Sequence, residues 1–216
     1  MEWAFRVRSL LVAVRDGMMA NGLGRALVAA VLGVTPVMAQ AQAGDPAAQT
    51  VEMLDNGLLA TMKAPGGQAG RARVIAPVVD RAFDIALMAR LSVGPAWTSF
   101  SPAEQTSVVS AFRAMTIAQY AANFDGYNGE RFAIVGPVET RGGDKLVRTT
   151  LSGGGANEAL NYRLREAGGS WKIIDVYYRN AISQLATRRS DFAAVIAKGG
   201  AGALVGHLNR LAANPK

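Results

Sequence analysis

The sequence predicts an α+β domain in which helices pack on one face of a four-stranded antiparallel sheet. Three observations carry this prediction. Apolar residues recur at helical spacing between 45 and 124, alternate between 131 and 178, and return to helical spacing between 180 and 213. The alternating runs are separated by glycine turns at Gly142-Gly143, Gly153-Gly154-Gly155 and Gly168-Gly169. Connections that short join neighbours as an antiparallel meander. Helices folded over a curved sheet leave room for a cavity between the layers, and such cavities hold apolar ligands.

The first helix is expected over 45–67, with Asp45-Pro46 as N-cap and first turn, a stripe of Val51, Leu54, Leu58 and Leu59, and a stop at Pro65-Gly66-Gly67. The second spans 71–94, carrying Val74, Val78, Val79, Ala82 and Phe83, then Ile85, Met88 and Leu91, and Pro77 is expected to break it. A third opens at Ser101, where Ser101 and Glu104 form a capping box around Pro102 and Val108, Phe112 and Met115 continue the stripe to residue 124. Strands follow over 131–139, 145–152, 158–167 and 171–178. The third is the clearest, with Leu160, Tyr162 and Leu164 on one face and Asn161, Arg163 and Arg165 on the other. Helices close the chain over 180–197 and 201–213.

The 216 residues are half hydrophobic and 18% charged, which suits one domain with a substantial core. Residues 1–43 read as a secretory signal: Arg25 precedes the apolar run 26–34, Pro36 follows, and small residues allow cleavage after Ala39 or Ala43. The run falls short of the roughly 20 apolar residues that span a bilayer. A start at Met18 or Met19 would give a signal of ordinary length. The single mature domain is expected over 44–216. Loss of the signal removes four arginines and two acids and lowers the formal charge from +7 to +5. The remaining bases are scattered, with only Arg188-Arg189 adjacent, so no stripe suits nucleic acid. With no cysteine, an exported chain relies on its core instead of disulfides.

Four stretches carry a further likeness: "RVIAPVVDRAFDIALMARLSVGPAW" (73–97), "FDGYNGERF" (124–132), "NYRLR" (161–165) and "WKIIDVYYRNAISQLATRRSDF" (171–192). Together they resemble the periplasmic lipid carriers of the MlaC or toluene-tolerance family. "SVGPAW" and "ISQLATRRSDF" are most similar to its hopanoid-associated HpnM branch. The likeness covers roughly residues 48–210. It implies an NTF2-like fold whose cavity accepts lipid tails, and a carrier that ferries hopanoid or phospholipid between inner and outer membrane; the chain is expected to act as a monomer. It also implies membrane partners, either an RND-type exporter or an ABC transporter with an outer-membrane complex.

The residues suit that task. Burying a CH₂ is worth about 0.8 kcal/mol, so a chain of about 16 carbons left in water costs on the order of 12 kcal/mol. Candidate lining residues are Phe83, Met88, Leu91, Trp97, Phe112, Met115, Tyr120, Tyr162, Leu164, Ile174, Val176 and Tyr178. Methionine and aromatic side chains adapt to an irregular pocket. The structural reading of each is plain core.

Two rivals come from other classes. An enzyme on the same scaffold would use Asp175 as acid or base with Tyr162 or Tyr178. Against it, the sole histidine, His207, lies in the last helix, and the sequence carries no cysteine nucleophile, triad spacing, metal-ligand cluster or phosphate loop. No enzymatic activity, cofactor or metal is expected. A ligand-free adaptor is the other rival.

Asp175 sits inside an apolar strand and has further readings. A hairpin loop of two or four residues places it opposite Tyr162, and a loop of three places Ile174 there. It could pair with Arg163, Arg165 or Arg81, or hydrogen-bond a lipid headgroup. Arg188-Arg189 is expected on a solvated helix face, with docking to an acidic partner or anionic headgroups as its functional reading.

Overall fold

The structure is a computed structural model that describes residues 44–179 and 182–215. The signal expected over 1–43 lies outside the described residues. Helix α1 runs Pro46–Met62, and Asp45 caps it by accepting the Ala47 N–H at 2.8 Å. Helix α2 spans Gly67–Ala82 and α3 spans Ile85–Val93, followed by a 3₁₀ segment, Gly94–Ser99. Helix α4, Pro102–Asn123, opens with the expected capping box: Ser101 Oγ accepts from the Glu104 N–H and Glu104 Oε2 accepts from the Ser101 N–H. The strands are β1 (Arg131–Ile134), β2 (Glu139–Arg141), β3 (Asp144–Gly153), β4 (Ala156–Ala167), β5 (Ser170–Tyr178) and β6 (Ile182–Ser183). Helix α5, Gln184–Ala213, closes the chain and is interrupted at Gly199 and Gly200. Gly200 has φ 59° and ψ −148°, a conformation that L side chains avoid, so the two expected C-terminal helices meet there end to end.

The sheet is fully antiparallel, in the order β1-β3-β4-β5-β6, with β2 also pairing β3. The expected four strands become six. The run 131–139 divides where Gly136 takes a positive φ of 72° ahead of Pro137, which cannot donate to a ladder. The short β6 adds itself to the free edge of β5.

Pro77 does not break its helix. Its ring stands on the exposed face, so α2 continues through it with one backbone bond missing. The chain breaks instead at Phe83, which turns extended (φ −103°, ψ 146°) and bridges Ile173, while the Asp84 N–H donates to the Ile173 carbonyl at 3.0 Å. Asp84 then caps α3 through the Leu87 N–H at 2.9 Å. A tertiary contact with β5 thus sets the boundary that the proline alone would have suggested six residues earlier.

The helices cover one sheet face. Val147, Leu151, Leu160, Tyr162, Leu164, Ile173, Val176 and Tyr178 from the strands join Leu54, Leu58, Ile75, Val79, Phe112, Met115, Leu204 and Leu208 from the helices in one core. Full burial of each large apolar side chain contributes about 1.5–3 kcal/mol. Polar contacts fix α1 over the sheet: Lys145 Nζ lies 2.7 Å from Asp45 Oδ2, and the Thr50 hydroxyl donates to the Trp171 carbonyl at 2.9 Å. On the opposite face, Asp144 is clamped by Arg163 and Arg165, which hold its carboxyl below the ordinary carboxylate range, Arg165 contributing most.

Candidate functional site

The register of the last hairpin decides what faces the helices. Gly168 and Gly169 form a two-residue turn with φ of 60° and 80°, the geometry a tight hairpin needs. That turn alone would set Asp175 opposite Tyr162. A β-bulge between Arg163 and Leu164 shifts the pairing, so Tyr162 faces Val176 and Arg163 faces Asp175. Val176 and Tyr178 therefore share the helix-facing side with Tyr162, and Asp175 takes the other side.

That register corrects several expectations. Asp175 is not placed to work with Tyr162 or Tyr178 as an acid–base pair. Nor does it pair with Arg163 or Arg165, which go to Asp144, or with Arg81, whose Nε donates to the Pro77 carbonyl. Buried at 4% exposure, Asp175 instead accepts from the Ser183 hydroxyl at 2.6 Å, the Leu185 N–H at 3.0 Å and the Val176 N–H at 2.8 Å. Those bonds tie β5 to the start of α5, a structural role reached by helix capping instead of an ion pair. A headgroup contact would compete with three bonds already made.

Nine of the twelve candidate lining residues do come together. Phe83, Met88, Phe112, Met115, Tyr120, Tyr162, Leu164, Val176 and Tyr178 are buried in one cluster, with Trp97 at its edge. Phe83 and Tyr120 meet at 5.7 Å between ring centroids, and Phe112 meets Phe192 edge-on at 6.4 Å. Ile174 is buried too but stands outside that cluster, in which Ile173 has the place beside Leu164. Leu91 is half-buried outside the cluster and offers its carbonyl to Arg189 at 2.9 Å.

Arg188 is the second correction. It does not lie on the solvated face expected of it. Its guanidinium turns into the α4 interface, 5.2 Å above the Phe112 ring, donating to Gln119 Oε1 at 2.9 Å and to Met115 Sδ at 3.2 Å. Burial brings it down to about 10. Arg189 stays exposed with its Nε held by Leu91. His207 packs edge-on against Phe192 in α5.

A further polar residue of the interior, Asp55, stands outside the sequence candidates. Asp55 follows Val51 by four residues and precedes Met62 by seven, which puts it on the buried stripe of α1; that spacing was the available signal. It is 6% exposed, and its Oδ1 has no hydrogen-bond partner among the described residues. Burial, reinforced by Glu52 one turn earlier, pushes its carboxyl up to about 8. Asp55 in turn raises the Tyr162 and Tyr120 hydroxyls further above their ordinary range, after burial. The interior therefore combines an apolar lining with a small polar group on α1.

Two concave surfaces lie outside this interior. An open groove of about 590 Å³ runs between α2, α4 and the end of α5, lined by Gln68, Ala69, Ala72, Ala114, Ile117, Ala118 and Ala212. A second, of about 470 Å³, lies on the polar sheet face beside Arg141, Arg148, Arg163 and Tyr177. No helix among the described residues is long and apolar enough to cross a membrane.

Comparison with known proteins finds a matching family model and six chains of solved structures. A family model described as MlaC protein matches residues 52–210. Among solved structures, the phospholipid-binding protein from Ralstonia solanacearum in complex with a phospholipid aligns with a TM-score of 0.65 at 26% identity, covering 78% of this chain and 98% of that one. No curated protein matches the chain.

Proposed function

Because the chain belongs to the MlaC family, we propose that it is a lipid carrier of the periplasm, secreted by the segment 1–43, that moves lipid between inner and outer membrane. The observation that carries this reading is the shared fold with a Ralstonia solanacearum protein in complex with a phospholipid, over 98% of that protein's length. The interior supports it. Helices and sheet meet along a layer of aromatic, methionine and aliphatic side chains, and parting the layers would expose apolar surface matched to acyl or polycyclic tails. Cargo is then enclosed in the layer containing Phe112, Met115, Tyr162 and Val176.

The cargo is a phospholipid or, following the likeness of 92–97 and 182–192 to the hopanoid-associated branch, a hopanoid. Membrane components supply and receive it, either an RND-type exporter or an ABC transporter with an outer-membrane complex. We read the chain as a carrier and not an enzyme: the one strand acid that suggested chemistry spends its oxygens on Ser183, Leu185 and Val176.

Transfer between vesicles tests the reading. With fluorescent phospholipid self-quenched in donor vesicles, the protein should accelerate dequenching into acceptors in proportion to its concentration. A rate equal to that without protein, for both phospholipid and hopanoid donors, would reject it.

A further inference from the structure

An interior acid without a partner is costly, and native cores rarely keep one unless something supplies the missing bond. Asp55 Oδ1 is such a group. The polar groups around it are committed elsewhere. The Tyr162 hydroxyl is bonded to Thr149, whose own hydroxyl donates to the Leu160 carbonyl at 2.6 Å. Glu52 lies on the exposed side of α1 and carries the wrong sign. Asp55 thus faces the same interior layer as Tyr120 and Tyr162 with an acceptor unfilled.

We propose that Asp55 is a specificity-determining residue of the cargo site, and that it receives a hydroxyl carried on the apolar body of the lipid. This rests on the carrier reading and adds a chemical class to it: lipids whose hydrophobic part bears an alcohol. With its titration near 8, the carboxyl is mostly neutral at pH 7, so it offers one O–H donor and one accepting oxygen. An alcohol has the same complement and can satisfy both. A plain acyl chain leaves Oδ1 unpaired, and a site built to hold a hydroxyl rejects the analogue that lacks it.

The test uses vesicles holding equal amounts of palmitoyl-oleoyl phosphatidylcholine and its ricinoleoyl counterpart, which differs by one hydroxyl midway along the unsaturated chain. Lipid extracted by the full chain is quantified by mass spectrometry. The wild type should enrich the hydroxylated lipid about tenfold, the worth of one to two buried hydrogen bonds, and Asp55→Leu should extract both lipids equally. Equal uptake by the wild type, or enrichment that persists in Asp55→Leu, overturns the proposal while leaving the carrier reading in place. Uptake of neither lipid by the wild type removes the phospholipid-carrier reading, and the proposal falls with it.

Discussion

Asp175 Oδ2 accepts the Ser183 hydroxyl at 2.6 Å, and Ser183 Oγ in turn accepts the Ala186 N–H at 3.0 Å. With Asp175 Oδ1 taking the Leu185 N–H, a single strand residue satisfies the first turn of α5 directly and through its N-cap. Hydrogen bonds to a charged acceptor contribute about 1.5–3 kcal/mol each. Asp175→Ala should therefore lower stability by about 3 kcal/mol in urea unfolding, and Asp175→Asn by less, because the amide keeps one accepting oxygen. Bound lipid should stay at the wild-type level in both. Lost lipid with unchanged melting would return Asp175 to the ligand site.

Asp55 makes stability depend on pH in the opposite sense to a paired carboxylate. Its folded value of about 8 lies above the ordinary 3.8. The stabilising contribution of the neutral form is thus complete below about pH 4 and is lost as pH rises toward 8. At 1.36 kcal/mol per unit the loss reaches several kcal/mol, roughly 6 at the alkaline end. Asp55→Asn should flatten this slope, so the variant gains on the wild type between pH 5 and 8 in denaturant titrations. Parallel curves would show that the carboxyl ionises freely.

Arg188 is a half-buried cation whose guanidinium is held by an amide, a thioether and an aromatic face. Replacing such a group with an apolar side chain of similar length is often neutral, whereas reversing its charge places an unpaired carboxylate in the core. Arg188→Met should melt within about 1 kcal/mol of the wild type, and Arg188→Glu should lose more than about 3 kcal/mol. If Arg188→Glu melts normally and only transfer fails, the side chain is outside, docking a partner.

Gly57 lets α1 and α2 approach. A Cβ there would stand 2.6 Å from Val78 Cγ1. Gly57→Ala should cost about 1–3 kcal/mol by overpacking, and adding Val78→Ala should recover part of that loss in a double-mutant cycle. An additive pair of destabilisations would place the strain elsewhere.

Local signals in the sequence translated directly into structure. Ser101 and Glu104 make the capping box because its partners are three residues apart, and Gly168-Gly169 make the tight hairpin because the turn needs only its own backbone. Features set by distant contacts did not show. The break at Phe83 depends on Ile173, ninety residues away. The bulge that moves Asp175 off the Tyr162 face leaves no mark in the alternation of "WKIIDVYY". The same holds at Arg188, where charge suggested solvent and packing on Phe112 decided otherwise. Asp55 was legible from its place on the α1 stripe, and a charged residue at a core position is the pattern that marks it.

On the carrier reading, this interior encloses lipid. The most direct measurement is extraction and mass spectrometry of the protein purified without added lipid. Lipid should be found at near-stoichiometric amounts, released on unfolding. Protein that carries no lipid as purified, and gains none after incubation with phospholipid or hopanoid vesicles, would contradict it.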